Sequence, residues 1–273
     1  MSVVGRMTER LLRRGIVGFV ALLLGITLFE LVQPIIAKSL GGPQALGSLL
    51  QALPPAFQAL VKTRPEFITV SGLAGYLTLG FTHPLFLVLI ASAIIGFATR
   101  TLAGEMERGT IQLPLARPVS RLQVYAARVL GIAVESLVLA VAAPVGIMLG
   151  LQIAHPAGTV IYRYFVPTAI TTALLAWAIG GLTLLGSAAA NTSGRAVGWA
   201  TGAFAVFYFV DYFASLWHPL KPLDPLSIFH YYNPAPALVH GTLSWSDVLV
   251  LLAVGAAGSL AGLAVFARRD LPT

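Results

Sequence analysis

Six stretches of this chain are long and apolar enough to cross a bilayer, and that limits its fold more than any other feature. A spanning helix needs about 20 mostly apolar residues, because lipid offers no water to satisfy an open backbone. The stretches are 15–37, 77–102, 122–151, 165–190, 196–217 and 248–267. Composition agrees: 57% of the chain is hydrophobic and 10% charged, against about 45–50% and about 25% in soluble domains. The expected fold is an all-α membrane protein, one domain over 1–273 with six transmembrane helices. His83-Pro84 interrupts the second stretch near one end, and Pro144 predicts a kink or tilt in the third.

The remaining segments are short or proline-rich. Within 1–14, Met7, Leu11 and Leu12 share a helical face, with the arginines largely elsewhere. This reads as an amphipathic elbow helix lying against headgroups. The long segments 38–76 and 218–247 carry too little charge for disorder and are expected to form short helices that cap one face.

Lys and Arg in loops set orientation. With the N-terminus in the cytoplasm, the inner side receives twelve of the 17 basic residues: Arg6, Arg10, Arg13, Arg14, Arg100, Arg108, Arg117, Arg121, Arg128, Arg195, Arg268 and Arg269. Both termini are therefore expected inside. The net charge of +7 then reflects topology and contacts to anionic lipid, not nucleic acid.

Enzyme signatures are missing. The sequence has no H-E-x-x-H, no G-x-S-x-G, no cysteine and no G-x-x-x-x-G-K-[ST] phosphate loop. ATP hydrolysis by that loop is excluded from this chain. Intramembrane acids are costly, so Glu30, Glu135 and Asp211 are expected in a translocation path or in buried polar contacts. Glycines at four-residue spacing let helices approach closely in lipid. Gly194, Gly198 and Gly202 form such a stripe, as do the pairs Gly146/Gly150 and Gly258/Gly262.

The densest polar segment, 103–121, lies between the second and third spans. Thr101 to Gln112 can continue as a short helix with Glu105, Glu107 and Arg108 exposed. Gly109 permits a sharp bend and Thr110 a local hydrogen bond. Pro114 and Pro118 stop a continuous helix, and Ser120 can cap the third span. The result is an elbow displayed in water that a partner could grip.

This segment resembles the cytoplasmic loop of ABC transporter permeases of the type-2 exporter family. Gly104, Glu105, Glu107, Gly109 and Thr110 match the first half of its GE-x-E-x-GT…RPVSR pattern, and Arg117, Pro118, Val119, Ser120 and Arg121 the second. The ending Phe266-Ala267-Arg268-Arg269-Asp270-Leu271 also looks like a family terminus, whereas Pro114 stands where relatives carry an apolar residue. The resemblance implies a coupling helix, including Arg108, that docks on a separate ATPase subunit present in two copies. It implies a second copy of this permease, with the first and fifth spans at the interface, in a prokaryotic plasma (inner) membrane. The chain itself would need no cofactor, and ATP with magnesium would belong to the ATPase. A membrane scaffold driven by the same ATPase, moving no solute, would carry an identical loop.

Overall fold

The computed structural model describes residues 2–54, 65–112 and 118–269. Pro114, Arg117, Asp270 and Leu271 lie outside the described residues. Among the described residues the fold is helical with no strand. The helices are α1 (Val3–Arg14), α2 (Ile16–Ser39), α3 (Pro43–Gln51), α4 (Pro65–Thr82), α5 (Pro84–Thr101) and α6 (Ala103–Glu107). After these come α7 (Arg121–Ala154), α8 (Phe165–Ala189), α9 (Ser193–Leu216), α10 (Pro234–His240) and α11 (Trp245–Arg268). Two 3-10 segments, Tyr162–Tyr164 and His218–Leu226, join them.

Six helical segments have the length and apolarity of membrane spans. They contain α2, α5, α7, α8, α9 and α11. The 34 residues of α7 extend about 51 Å at about 1.5 Å per residue. That exceeds the roughly 30 Å of a hydrocarbon core, so α7 must tilt or project. It runs through Pro144 without interruption.

The second segment differs from its expected range of 77–102. Residues 77–82 end α4, and α5 starts at Pro84. Proline at the first helical position lacks an N–H that would be unpaired there anyway, and it pushes His83 into extended backbone. His83 then caps α5, its Nδ1 accepting from the Leu85 N–H at 3.2 Å. Within α4 the helix is broken at Gly72, whose φ of +60° suits glycine.

Close backbone approaches fix the bundle. A Cβ on Gly146 would overlap the Thr27 carbonyl, and one on Gly150 the Leu31 carbonyl, so α7 lies directly against α2. Gly181, Gly255 and Gly258 similarly bring α8 against α11. The second and fourth spans are 67% buried over their most apolar stretch, against 11% for the first and 17% for the fifth. The first and fifth spans therefore carry the open apolar faces of the molecule.

At one end, the segments around α4, α10 and His218–Leu226 pack over the bundle. The buried Tyr232 ties them down by donating to the Phe81 carbonyl at 3.2 Å. Burial pushes its phenol above the usual tyrosine range, which favours the donating, neutral form. At the opposite end lie α1, α6, the start of α7 and the C-terminal end of α11.

Candidate functional site

The polar end is organised by Glu105. Its carboxylate is buried, where the sequence pattern predicted exposure. Arg128 explains the difference. This arginine sits about two turns inside α7, is 1% exposed, and places Nη2 2.5 Å from Glu105 Oε2. It also donates through Nε to the Thr101 carbonyl at 2.9 Å and through Nη1 to the Val124 carbonyl. A charge in such a place is retained only when paired and hydrogen-bonded. Arg14, at the end of α1, adds a second cation at 3.0 Å from Glu105 Oε1. One carboxylate thus joins α1, α6 and α7.

Glu107 makes the complementary link on the outside. Its Oε2 accepts from the Ser193 backbone N–H at 2.9 Å and from the Ser193 hydroxyl at 2.5 Å. These groups open α9, and a carboxylate there satisfies an N–H left without a helical partner and faces the positive end of the helix dipole. The segment 103–112 is therefore held between the starts of the third and fifth spans.

The turn after α6 follows from its sequence. Gly109 adopts φ +67°, a left-handed conformation that costs other residues energy. The chain then folds back, and the Ile111 N–H and the Thr110 hydroxyl both donate to the Glu105 carbonyl, at 3.2 and 3.4 Å. Met106 and Ile111 are buried beneath, while Glu107, Arg108 and Gly109 are exposed. Gly104 is buried, and its missing side chain leaves room for the Arg108 guanidinium. Beyond 113–117, Pro118 is exposed and Ser120 caps α7 in a reciprocal capping box with Gln123.

Arginines close the neighbouring helix ends. Arg121 donates to the carbonyls of Ala267 at 3.1 Å and Arg269 at 2.7 Å, at the end of α11. Arg269 donates to those of Ala188 at 2.6 Å and Ala190 at 2.7 Å, at the end of α8. Cations there meet unpaired carbonyls and the negative end of the dipole.

The membrane acids are not gathered into one site. Glu30 is fully buried between α2 and α4, and neither carboxyl oxygen has a hydrogen-bond partner among the described residues. Glu135 is buried on α7, with Oε2 unpartnered in the same sense. Asp211 is buried on the otherwise open α9. Gly194, Gly198 and Gly202 lie on that helix with nothing among the described residues near enough to touch an added Cβ. Asp211 follows Gly202 by nine residues, about half a turn out of phase at about 100° per residue. Acid and glycine stripe therefore occupy opposite faces.

Sequence reasoning missed Arg14, Arg128 and Ser193 as members of this site. Arg128 carried a signal, being a charge two turns inside an apolar helix rather than in a loop. Ser193 carried none, since its role depends on where α9 begins.

This arrangement defines a class: a multi-pass α-helical membrane protein whose spans meet at a braced polar elbow. The family model described as ABC-2 family transporter protein matches residues 8–271, and the chain belongs to that family. No curated protein matches the chain.

Proposed function

We propose that this chain is the membrane subunit of an ATP-driven exporter, working as a dimer with two copies of a separate ATPase. The observation that carries the reading is the bracing of 103–112. Glu105 ties it to α1 and α7, Glu107 ties it to α9, and Arg108 and Gly109 are exposed at the turn. A push on that tip would reach α1 and the third and fifth spans through short polar links, so closure of an ATPase pair could drive an inward–outward exchange. The ATPase would hold ATP and magnesium. Gly104, Thr110, Pro118, Ser120 and Arg121 would shape or flank the docking surface, and the family pattern adds Arg117. The open faces of α2 and α9, with Gly194, Gly198 and Gly202, support self-association through the first and fifth spans. The excess of arginine at this end supports a cytoplasmic placement of both termini in a prokaryotic plasma membrane.

The folded cover at the opposite end supports a second reading, in which the same strokes act on another protein without solute transport. Flux into sealed vesicles separates the two. Docking is tested with Arg108→Glu, because Arg108 is exposed and makes none of the bracing contacts. Co-expressed ATPase should co-purify less with this variant and lose stimulation. Unchanged recovery and stimulation would refute docking at this tip.

A further inference from the structure

A cavity of about 510 Å³ opens between α1 and the polar elbow. Its walls follow from the four-residue spacing along α1. Arg6, Arg10 and Arg14 form one row, and Val3, Met7 and Leu11 form the adjacent one. Rows offset by three residues lie about 60° apart on a helix, so a basic strip and an apolar strip run side by side. The floor is the buried pair Arg128 and Glu105. Four arginines and one carboxylate line the cavity. Arg14 and Arg128 already share Glu105, whereas Arg10 makes no ion pair among the described residues. The cavity therefore has more positive charge than its own walls neutralise.

Its place in the fold narrows the anion. Through Gly15, α1 leads directly into the first span, and Thr8 anchors it to α7 by donating to the Ala127 carbonyl at 3.1 Å. The groove thus lies at the level where apolar helix gives way to polar ends. There, a phosphate with an attached hydrocarbon chain can satisfy both strips at once. A free phosphate would leave the apolar strip idle. An acidic partner protein would more readily meet the projecting Arg108 than a recess floored by a residue inside α7.

We propose that this groove binds the phosphate of an anionic phospholipid, with acyl chain lying along Val3, Met7 and Leu11. The lipid would brace α1 against the elbow and so set how firmly the elbow is held. This inference rests on the fold and not on ATPase docking, and its test needs no ATPase.

The test uses the purified full chain in mild detergent, offered equal phosphatidylglycerol and phosphatidylcholine. Native mass spectrometry measures which is retained, and thermal unfolding is followed with each lipid and with inorganic phosphate. Phosphatidylglycerol should be retained preferentially and raise the unfolding midpoint. A basic residue near an anionic surface contributes roughly a fivefold factor in binding, so Arg6→Gln/Arg10→Gln should cut retention about 10- to 30-fold. Arg10→Gln alone should cut it about fivefold without disturbing any ion pair. Arg268→Gln, an exposed arginine at the same end but outside the groove, should leave it unchanged. Equal losses in Arg268→Gln and Arg10→Gln would mean general surface charge and would overturn the site. A midpoint raised as much by inorganic phosphate would assign the groove to free phosphate and overturn the lipid. Unchanged lipid retention in the double variant would show that these arginines do not hold the lipid and would overturn the site too.

Discussion

Replacing Arg128 with Met should be the most damaging single change at the polar end. The Arg128–Glu105 contact is 2.5 Å between nitrogen and oxygen, with side chains 1% and 7% exposed. Charge centres about 4 Å apart, at an effective dielectric constant of about 20, attract by about 4 kcal/mol. Removing one partner of a buried pair costs about 3–5 kcal/mol, because the other is left buried and under-neutralised. Arg14 cannot make up the difference, since its side chain is 66% exposed and exposed pairs contribute about 0–1 kcal/mol.

The comparison, not the absolute value, tests the argument. Arg128→Met should destabilise by about 3–5 kcal/mol and Arg14→Gln by less than about 1 kcal/mol. Arg128→Met/Glu105→Leu removes both charges and should regain much of the loss, because two well-packed apolar groups need no compensation. Reversible unfolding of the purified chain by denaturing detergent, run as a double-mutant cycle, gives all three values. Equal losses for the Arg128 and Arg14 variants, or strict additivity in the double variant, would refute the assignment of Arg128 as the brace. The same reasoning makes Glu105→Lys a poor probe of docking, since it would damage the fold first.

Three further outcomes follow from the geometry. Gly146→Ala should cost about 1–3 kcal/mol by overpacking, because its Cβ would meet the Thr27 carbonyl; Gly198→Ala meets nothing among the described residues, so unfolding curves should separate the two, and only Gly198→Leu should weaken self-association while sparing stability. Gly109→Ala should cost about 1–2 kcal/mol through left-handed strain, no described residue lying within reach of the added Cβ, as thermal unfolding would read. Glu107→Ala should release 103–112 from α9 without unfolding the bundle, so spin labels at Arg108 and Arg195 should report a broadened distance distribution; an unchanged distribution would mean that Ser193 is not the tether.

The spans were legible because a bilayer demands long apolar helices, and six runs meet that demand. The limit of the second was not. Residues 77–82 are as apolar as a span, and only the His83-Pro84 step separates them from it. Hydropathy cannot tell a helix that crosses from one that packs across an end. The elbow was legible as a place, through Gly109 and Ser120, but not as a mechanism. Glu105 reads as surface charge unless its partner is known, and that partner stands 23 residues away in a different helix. The glycine stripes make the same point. Gly146/Gly150 and Gly258/Gly262 are filled by neighbouring helices, while Gly194, Gly198 and Gly202 are open. Spacing marks a face on which close approach is allowed, and it does not say which helix approaches.

The arginines of the polar end show why one rule of charge is too coarse. Counting Lys and Arg treats each as an equal vote on orientation. In the fold they divide by what they touch. Arg128 neutralises a buried carboxylate, Arg121 and Arg269 close the ends of α11 and α8, and Arg13 pairs with Glu9 at 2.8 Å on the surface of α1. Arg10 and Arg108 are exposed and make none of these contacts. The first group has internal partners, so its loss should appear as lost stability, least for the exposed Arg13–Glu9 pair. The second has none of these ties, so its loss should leave the fold intact and appear in what the protein binds. Arg10 faces the groove beside α1 and Arg108 caps the tip of the elbow. A lipid assay on the first and an ATPase assay on the second therefore interrogate different surfaces, and neither result can stand in for the other.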